Sequence, residues 1–352
     1  MEKKSKNRWQ VVKYSKTQIV DAGSKMRHPD ISDKEVLEAK EIIDNWRASH
    51  AYPLHACYMI LRRQASGTKY IVAERLKRLE SIVNKLRREK NMNLWTMQDL
   101  GGCRYIVSSV EEVYTEVEKF KISMKNHEQK GEGKDYIKSP KNSGYRGIHL
   151  VYKFNSMRKQ EYNKNMMIEF QFRTHIQHLW ATAVETYDLI TRESIKSSCG
   201  KSEVKRFFTL ASHLFALKEH TPSVPGVEGS KEDVFRELDQ LNTENHIIDT
   251  ISGFRAASHL MEKNKSFGYC LLLYNFIERK LKLYFYKQRN FSQANKLYKE
   301  IEKEKINNKN IDAVLVRAGS FKELKAAYPN YFGDIQRFIS MLDLIRKDPS
   351  LS

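Results

Sequence analysis

Met167-Ile168-Glu169-Phe170-Gln171-Phe172-Arg173 separates into two faces when read with a period of two. Ile168, Phe170 and Phe172 point one way; Glu169, Gln171 and Arg173 point the other. The pattern predicts a strand with one buried apolar face. Its second face carries a carboxylate, an amide and a guanidinium in a row, each about 6.6–7 Å from the next at the usual strand rise. Those three groups suit a metal ion, a sugar hydroxyl and a phosphate along one line. A merely solvated sheet face would also alternate, so the strand alone leaves both readings open.

The chain has 352 residues, 40% hydrophobic and 30% charged, which describes globular rather than disordered sequence. Its net charge of +19 calls for an anionic partner such as a nucleotide or nucleic acid. The first residues, Met1-Glu2-Lys3-Lys4-Ser5-Lys6, lack the apolar core of a signal peptide, and no apolar run approaches the roughly 20 residues of a membrane span. Cys57, Cys103, Cys199 and Cys270 stand far apart without a CxxC pair, as expected for reduced thiols in a cytoplasmic protein. His175 and His178 lack the Glu or Cys companions of a metal site and read as structural.

Alternating helical and extended patterns predict an α+β protein, a mixed β-sheet flanked by helices with a smaller C-terminal α+β module. The expected division is an N-terminal helical extension over 1–50, a catalytic domain over 51–200 and a further module over 201–352. Helices are expected over about 33–50, 54–65, 72–90, 110–125, 174–190, 231–263 and 292–305. Strands are expected over 102–107, 146–154, 166–173, 269–276, 281–286 and 313–317. Thr221-Pro222-Ser223-Val224-Pro225-Gly226-Val227-Glu228-Gly229 reads as a linker or long loop.

Three segments upstream of Glu169 concentrate groups suited to phosphates. As a helix, 74–88 would align Lys77, Ser81, Lys85 and Arg88 on one face and leave Arg75 in the apolar stripe, a costly place for a guanidinium without a partner. Three cations with a serine suit a polyphosphate cradle. Next, Asp99 stands just before Leu100-Gly101-Gly102, where it could hold Mg²⁺ while the glycines admit a ligand close to the backbone. Finally, Lys138, Lys141 and Arg146 place positive charge on a loop whose Tyr145 could stack a base.

In their order, Arg75-x-Lys77 with Ser81 and Lys85, DLGGCR (99–104), DYIKSPKNSGYRGIH (135–149) and EFQFRTHIQHLWA (169–181) resemble the RelA/SpoT alarmone-synthetase domain. The resemblance is to its single-catalytic-domain members, with no hydrolase pattern before the motifs. Asn45-Trp46-Arg47-Ala48-Ser49-His50 and Trp180-Ala181-Thr182-Ala183-Val184-Glu185 narrow it to the toxic branch, particularly CapRel-like fused toxin–antitoxins. Tyr328-Pro329-Asn330-Tyr331 is similar to the YxxY element of that group's autoinhibitory module.

The resemblance implies a nucleotidyltransferase-like fold and transfer of the β,γ-pyrophosphate of ATP to a ribose 3′-hydroxyl. It implies that Arg75 and Arg104 sandwich adenine and that Lys77, Ser81 and Lys85 hold the triphosphate. Asp99 and Glu169 would hold Mg²⁺, and Glu169 would also take or orient the hydroxyl proton. Arg75, Asp99 and Glu169 thus form the implied catalytic set. Lys141, Tyr145, His149, Gln171 and Arg173 would position the acceptor, while Tyr328 and Tyr331 would occlude the ATP site. Two acceptors are open: GDP or GTP, giving (p)ppGpp, or the 3′-CCA adenosine of tRNA. Residues 51–100 hold ten Lys/Arg against four Asp/Glu, a net of +6 and more than an ATP pocket needs, which favours tRNA. The resemblance also implies a phage protein as trigger, acting on the C-terminal module. A reading from another class is a catalytically inactive RNA-binding or sensor protein that keeps only the fold.

Overall fold

The computed structural model describes residues 9–28, 31–191, 202–245, 247–252, 268–275, 278, 280–307, 311–317 and 335–351. The strands are β1 (Ile71–Leu76), β2 (Gly101–Val107), β3 (Glu128–Gln129), β4 (Lys134–Asp135), β5 (Ile148–Lys153), β6 (Met167–Thr174), β7 (Tyr269–Asn275), β8 (Lys280–Tyr286) and β9 (Ile311–Arg317). They form one mixed sheet in the order β3-β5-β6-β2-β1-β9-β7-β8, with β4 also paired to β5. The β2–β6 pair is parallel and the other pairings are antiparallel.

The helices are α1 (Lys16–Lys25), α2 (Asp33–Ser49), α3 (Ala51–Gln64), α4 (Leu79–Arg88), α5 (Val110–Ser123), α6 (His175–Thr191), α7 (Ser202–Glu219), α8 (Lys231–Asn245), α9 (Ile247–Ser252), α10 (Phe291–Asn307) and α11 (Ile335–Lys347). The fold class is the α+β arrangement expected, a mixed sheet flanked by helices. Ser32 opens α2 through a capping box with Glu35. Thr174 caps α6, its Oγ1 accepting from the Gln177 amide at 3.1 Å while Gln177 Oε1 accepts from the Thr174 amide at 3.3 Å. The site strand β6 therefore runs straight into the N-terminal cap of α6.

Two cores hold the site. Ile168, Phe170 and Phe172 are at most 1% exposed and pack with Phe120, Tyr105 and Leu150 in the core that also contains Trp46 and Leu86. Trp180, Phe207, Phe208, Phe215, Phe235 and Phe338 build the second, among α6, α7, α8 and α11. There the Trp180 indole N–H donates to the Phe208 carbonyl at 2.6 Å.

One expectation fails in an instructive way. The helix predicted over 72–90 is strand β1 followed by helix α4. Ile71 and Val72 are β-branched starters, and full antiparallel pairing with β2 overrides the helical period of the leucines. The stripe is helical only from Leu79, where Ile82, Val83 and Leu86 are buried. Helix α1 and helix α7 were not anticipated. The segment 221–229, expected as a linker or long loop, is a loop packed on the fold: Val224 and Val227 are buried and the Gly226 carbonyl accepts from Arg206 at 2.8 Å.

Candidate active site

Strand register assembles the site. Arg75 lies opposite Gly102, which lies opposite Glu169; Ala73 lies opposite Arg104, which lies opposite Gln171, which lies opposite His149. Directly opposed residues share a face, so four strands project their polar side chains together while their apolar residues enter the core. Gly102, which has no side chain, leaves open space between Arg75 and Glu169. The pocket is a cavity of about 90 Å³ lined by Ala73, Arg75, Lys77, Asp99, Gly102, Cys103, Arg104, Glu169 and Gln171.

The groups expected to face ATP meet on Asp99. Its Oδ2 accepts from Lys77 Nζ at 2.9 Å and pairs with Lys85 Nζ at 3.0 Å. Lys77 sits on the turn between β1 and α4, its amide donating to the Leu100 carbonyl at 2.8 Å. Lys85 lies on α4 one turn after Ser81, which is half-buried and does not line the pocket. Burial pushes the Lys77 ammonium down from its ordinary value, only partly offset by Asp99. Burial pushes the Asp99 carboxyl up, but Lys77 and Lys85 outweigh it and hold the group low. Arg104 is buried, with Glu185 at 3.9 Å.

The groups expected to face the acceptor close into a ring. His149 Nδ1 is 3.0 Å from Glu169 Oε1, and Gln171 Nε2 donates to Glu169 Oε2 at 2.7 Å. Arg173 donates to Gln171 Oε1 at 2.7 Å and to the Tyr145 hydroxyl at 2.6 Å. Tyr145 closes the ring on His149 Nε2. An ionised Glu169 accepts only, so His149 Nδ1 donates and, in the neutral tautomer, Nε2 accepts from Tyr145. Hydrogens therefore run from Arg173 to Glu169 along two paths. Burial would push Glu169 up, yet His149, Gln171 and the Lys77 charge hold it at about 2. The Tyr145 hydroxyl is pushed up, burial outweighing the nearby Arg173 charge. Lys141 caps the loop from outside, its ammonium 4.3 Å from the Tyr136 ring and 5.2 Å from the Tyr145 ring.

Asp99 Oδ1 is buried without a hydrogen-bond partner, a position suited to a hard cation. Glu169 is close enough to raise Asp99 electrostatically. Two carboxylates fit Mg²⁺, which keeps waters and takes its remaining ligands from phosphates. Among the described residues no group of three or more His, Cys, Asp or Glu could hold a metal alone.

Most sequence-derived candidates are brought to this pocket or to the ring beside it, though Ser81 stands off and Arg146 turns away. Arg146, expected as loop charge, is 3% exposed and points into α7. Tyr328 and Tyr331 lie outside the described residues. Arg47 was quoted in the sequence only as part of a motif, with no role. It is buried and donates to the Lys77 carbonyl at 2.6 Å. Its partner is 30 residues away, so no local pattern could signal it.

Residues 74–188 match the model of the region found in RelA / SpoT proteins. GTP pyrophosphokinase YwaC of Bacillus subtilis is 36% identical over 118 residues, covering 31% of this chain and 52% of that protein. GTP pyrophosphokinase YjbM of the same organism is 31% identical over 113 residues, covering 32% of this chain and 52% of that protein. The chain thus spans about half the length of the curated relatives it matches. A crystal structure of small alarmone synthetase 1 from Bacillus subtilis, bound to its product pppGpp, matches at 23% identity and a TM-score of 0.40, over 53% of this chain and 94% of that one. Among the described residues no helix is long and apolar enough to cross a membrane.

Proposed function

We propose that the chain is an ATP-dependent pyrophosphokinase that transfers the β,γ-pyrophosphate of ATP to a ribose 3′-hydroxyl, with the 3′-CCA adenosine of tRNA as acceptor. The observation that carries the reaction is that Lys77, Asp99 and Glu169 line one pocket with Arg75 and Arg104, with Lys85 paired to Asp99 beside it. Two lysines suit a triphosphate, and two planar guanidinium groups suit an adenine face. Mg²⁺ on Asp99 and Glu169 would neutralise charge developing on the phosphates. The hydroxyl attacks the β-phosphorus, AMP leaves, and the hydroxyl proton departs toward Glu169. The named activities of YwaC and YjbM support the same chemistry.

Charge supports tRNA. Arg63, Lys69 and Lys90 lie exposed outside the pocket lining, on a surface where they could meet a phosphate backbone. The competing acceptor, GDP or GTP, is favoured by the relatives' names. Incubation with ATP labelled at the γ-phosphate should place label on bulk tRNA and not on GDP or GTP. Label on guanosine nucleotides alone reverses the acceptor assignment, and label on neither refutes the reaction.

The C-terminal module, from about residue 201, is read as the restraint on this activity, with cytoplasmic tRNA as target and a phage protein as the partner that lifts it. Strand β9 supports this reading by occupying the free edge of donor strand β1, Glu74 opposite Arg317. Replacing Tyr328 and Tyr331 together by Ala in the full chain is expected to make expression more growth-inhibitory by at least about tenfold in colony count, the scale of a modest population shift. Equal toxicity would sink the restraint.

A further inference from the structure

Tyr145 is held between two glycines in the left-handed region, Gly144 at φ +87° and Gly147 at φ +138°. A Cβ on Gly144 would come within 2.7 Å of the Ser212 Cβ and 3.1 Å of the Trp180 ring. One on Gly147 would come within 3.0 Å of the Arg173 Cγ. The backbone between them sends Tyr145 into the site and Arg146 the opposite way. All three guanidinium nitrogens of Arg146 are engaged: Nε with Ser212 Oγ at 3.4 Å, one terminal nitrogen with Thr221 Oγ1 at 3.2 Å, the other with the Pro222 carbonyl at 2.6 Å. Ser212 Oγ in turn donates to the Gly144 carbonyl.

Arg146 therefore cannot meet an anion in the site. Its burial pushes the guanidinium down to about 10, with Glu219 as the opposing charge. A buried cation tied to two hydroxyls and a carbonyl costs more than an apolar residue there would, so its value lies in what it orders. Its partners all come from residues 212–222, beyond the 74–188 region.

We infer that Arg146 is a positioning residue for the acceptor: clamped by Ser212, Thr221 and Pro222, it fixes loop 144–147 so that Tyr145 presents its ring to the acceptor base. The inference rests on the pyrophosphokinase reading for what is positioned. In the full chain, Arg146→Ala should raise the acceptor KM by about tenfold, the loss expected on removing hydrogen bonds from a charged group. Arg146→Lys, which keeps the charge and reaches one partner, should raise it by about threefold. The KM for ATP should stay within about twofold in both, since no clamp partner lines the donor pocket. Hydrogen–deuterium exchange supplies a readout free of activity. The Gly144 amide donates to the Lys141 carbonyl at 2.8 Å and the Tyr136 amide to the Gly147 carbonyl at 2.9 Å, and both should exchange faster in the variants.

Parallel changes in both KM values, or unaltered exchange across 136–147, would overturn the inference. Thr221→Val, which deletes one hydroxyl at nearly constant volume, decides on the same readouts if Arg146→Ala does not fold. A wild-type chain that labels neither GDP nor tRNA sinks the proposed function, and the clamp then stands or falls on exchange alone.

Discussion

Glu169→Gln is expected to lower the turnover number for pyrophosphate transfer by about 10³-fold, the scale of losing a preorganised charge at the reacting centre. ATP affinity should fall less than turnover, because Lys77 and Lys85 stay paired with Asp99 while the proposed Mg²⁺ site loses one of its two carboxylates. The size of the effect follows from the ring's direction. Glu169 accepts from both His149 and Gln171, so a carboxamide sets one N–H₂ group against a donor. Turning Gln171 over moves the conflict to Arg173, which already donates to Gln171 Oε1. Only a switch of the His149 tautomer relieves the mismatch: Nδ1 then accepts from the carboxamide and Nε2 donates to the Tyr145 oxygen, leaving the Tyr145 hydrogen without its His149 acceptor, so the ring is reordered as well as discharged. Steady-state kinetics beside an ATP titration test this. Turnover within about tenfold of wild type would refute the role of Glu169 and favour a chain that keeps the fold without the reaction.

The same residue sets an acid limit on stability. Glu169 is held at about 2 against an ordinary 4.5, so its ionised form favours the folded state. That contribution is complete above about pH 4.5 and is lost as the pH falls toward 2. Urea unfolding of wild type should weaken across this window. Glu169→Gln should be less stable at neutral pH and show a shallower acid loss, the two curves converging near pH 2.

The strand at 167–173 was legible because its period matched its environment at every position. Ile168, Phe170 and Phe172 are core, and the polar alternation continues across β2 and β5 by register alone. The stretch 72–90 misled because its leucine spacing is helical, whereas Ile71 to Leu76 answer to β2, a segment 25 to 35 residues away. The ring could not be read in sequence either. Tyr145 and Arg173 stand 28 residues apart, and only the closure of β5 against β6 makes their hydroxyl and guanidinium partners. Arg146 shows the reverse error: composition counts its charge toward an anion, while burial spends it on α7 and loop 221–222.

Arg47→Met is expected to destabilise the fold by about 3 kcal/mol, the cost of removing one member of a buried, hydrogen-bonded charge cluster. It should also weaken ATP binding by about tenfold, the energetic scale of one strong hydrogen bond to a charged group. Arg47 is 3% exposed, donates to the Lys77 carbonyl at 2.6 Å and to Asp44 Oδ1 at 3.1 Å, and sits 4.9 Å from the centre of the Tyr298 ring. Burial alone would weaken its hold on a proton, but Tyr298, Asp44 and Glu302 more than compensate. Methionine fills the space yet leaves the Lys77 carbonyl without its donor, so the turn carrying Lys77 loses a tether. Asp44 is less affected, since Lys299 of α10 also reaches it at 2.8 Å. Through Tyr298 against Arg47 and Lys299 against Asp44, α10 reaches the residues that tether the turn carrying Lys77. Tyr298→Leu should therefore shift ATP affinity in the same direction as Arg47→Met, while Tyr298→Phe should be neutral or stabilising, because the buried hydroxyl has no hydrogen-bond partner among the described residues. Urea melts and ATP titrations of the three variants separate packing from coupling. Destabilisation without any change in ATP affinity would reduce Arg47 to a structural cation and remove the link between α10 and the donor site.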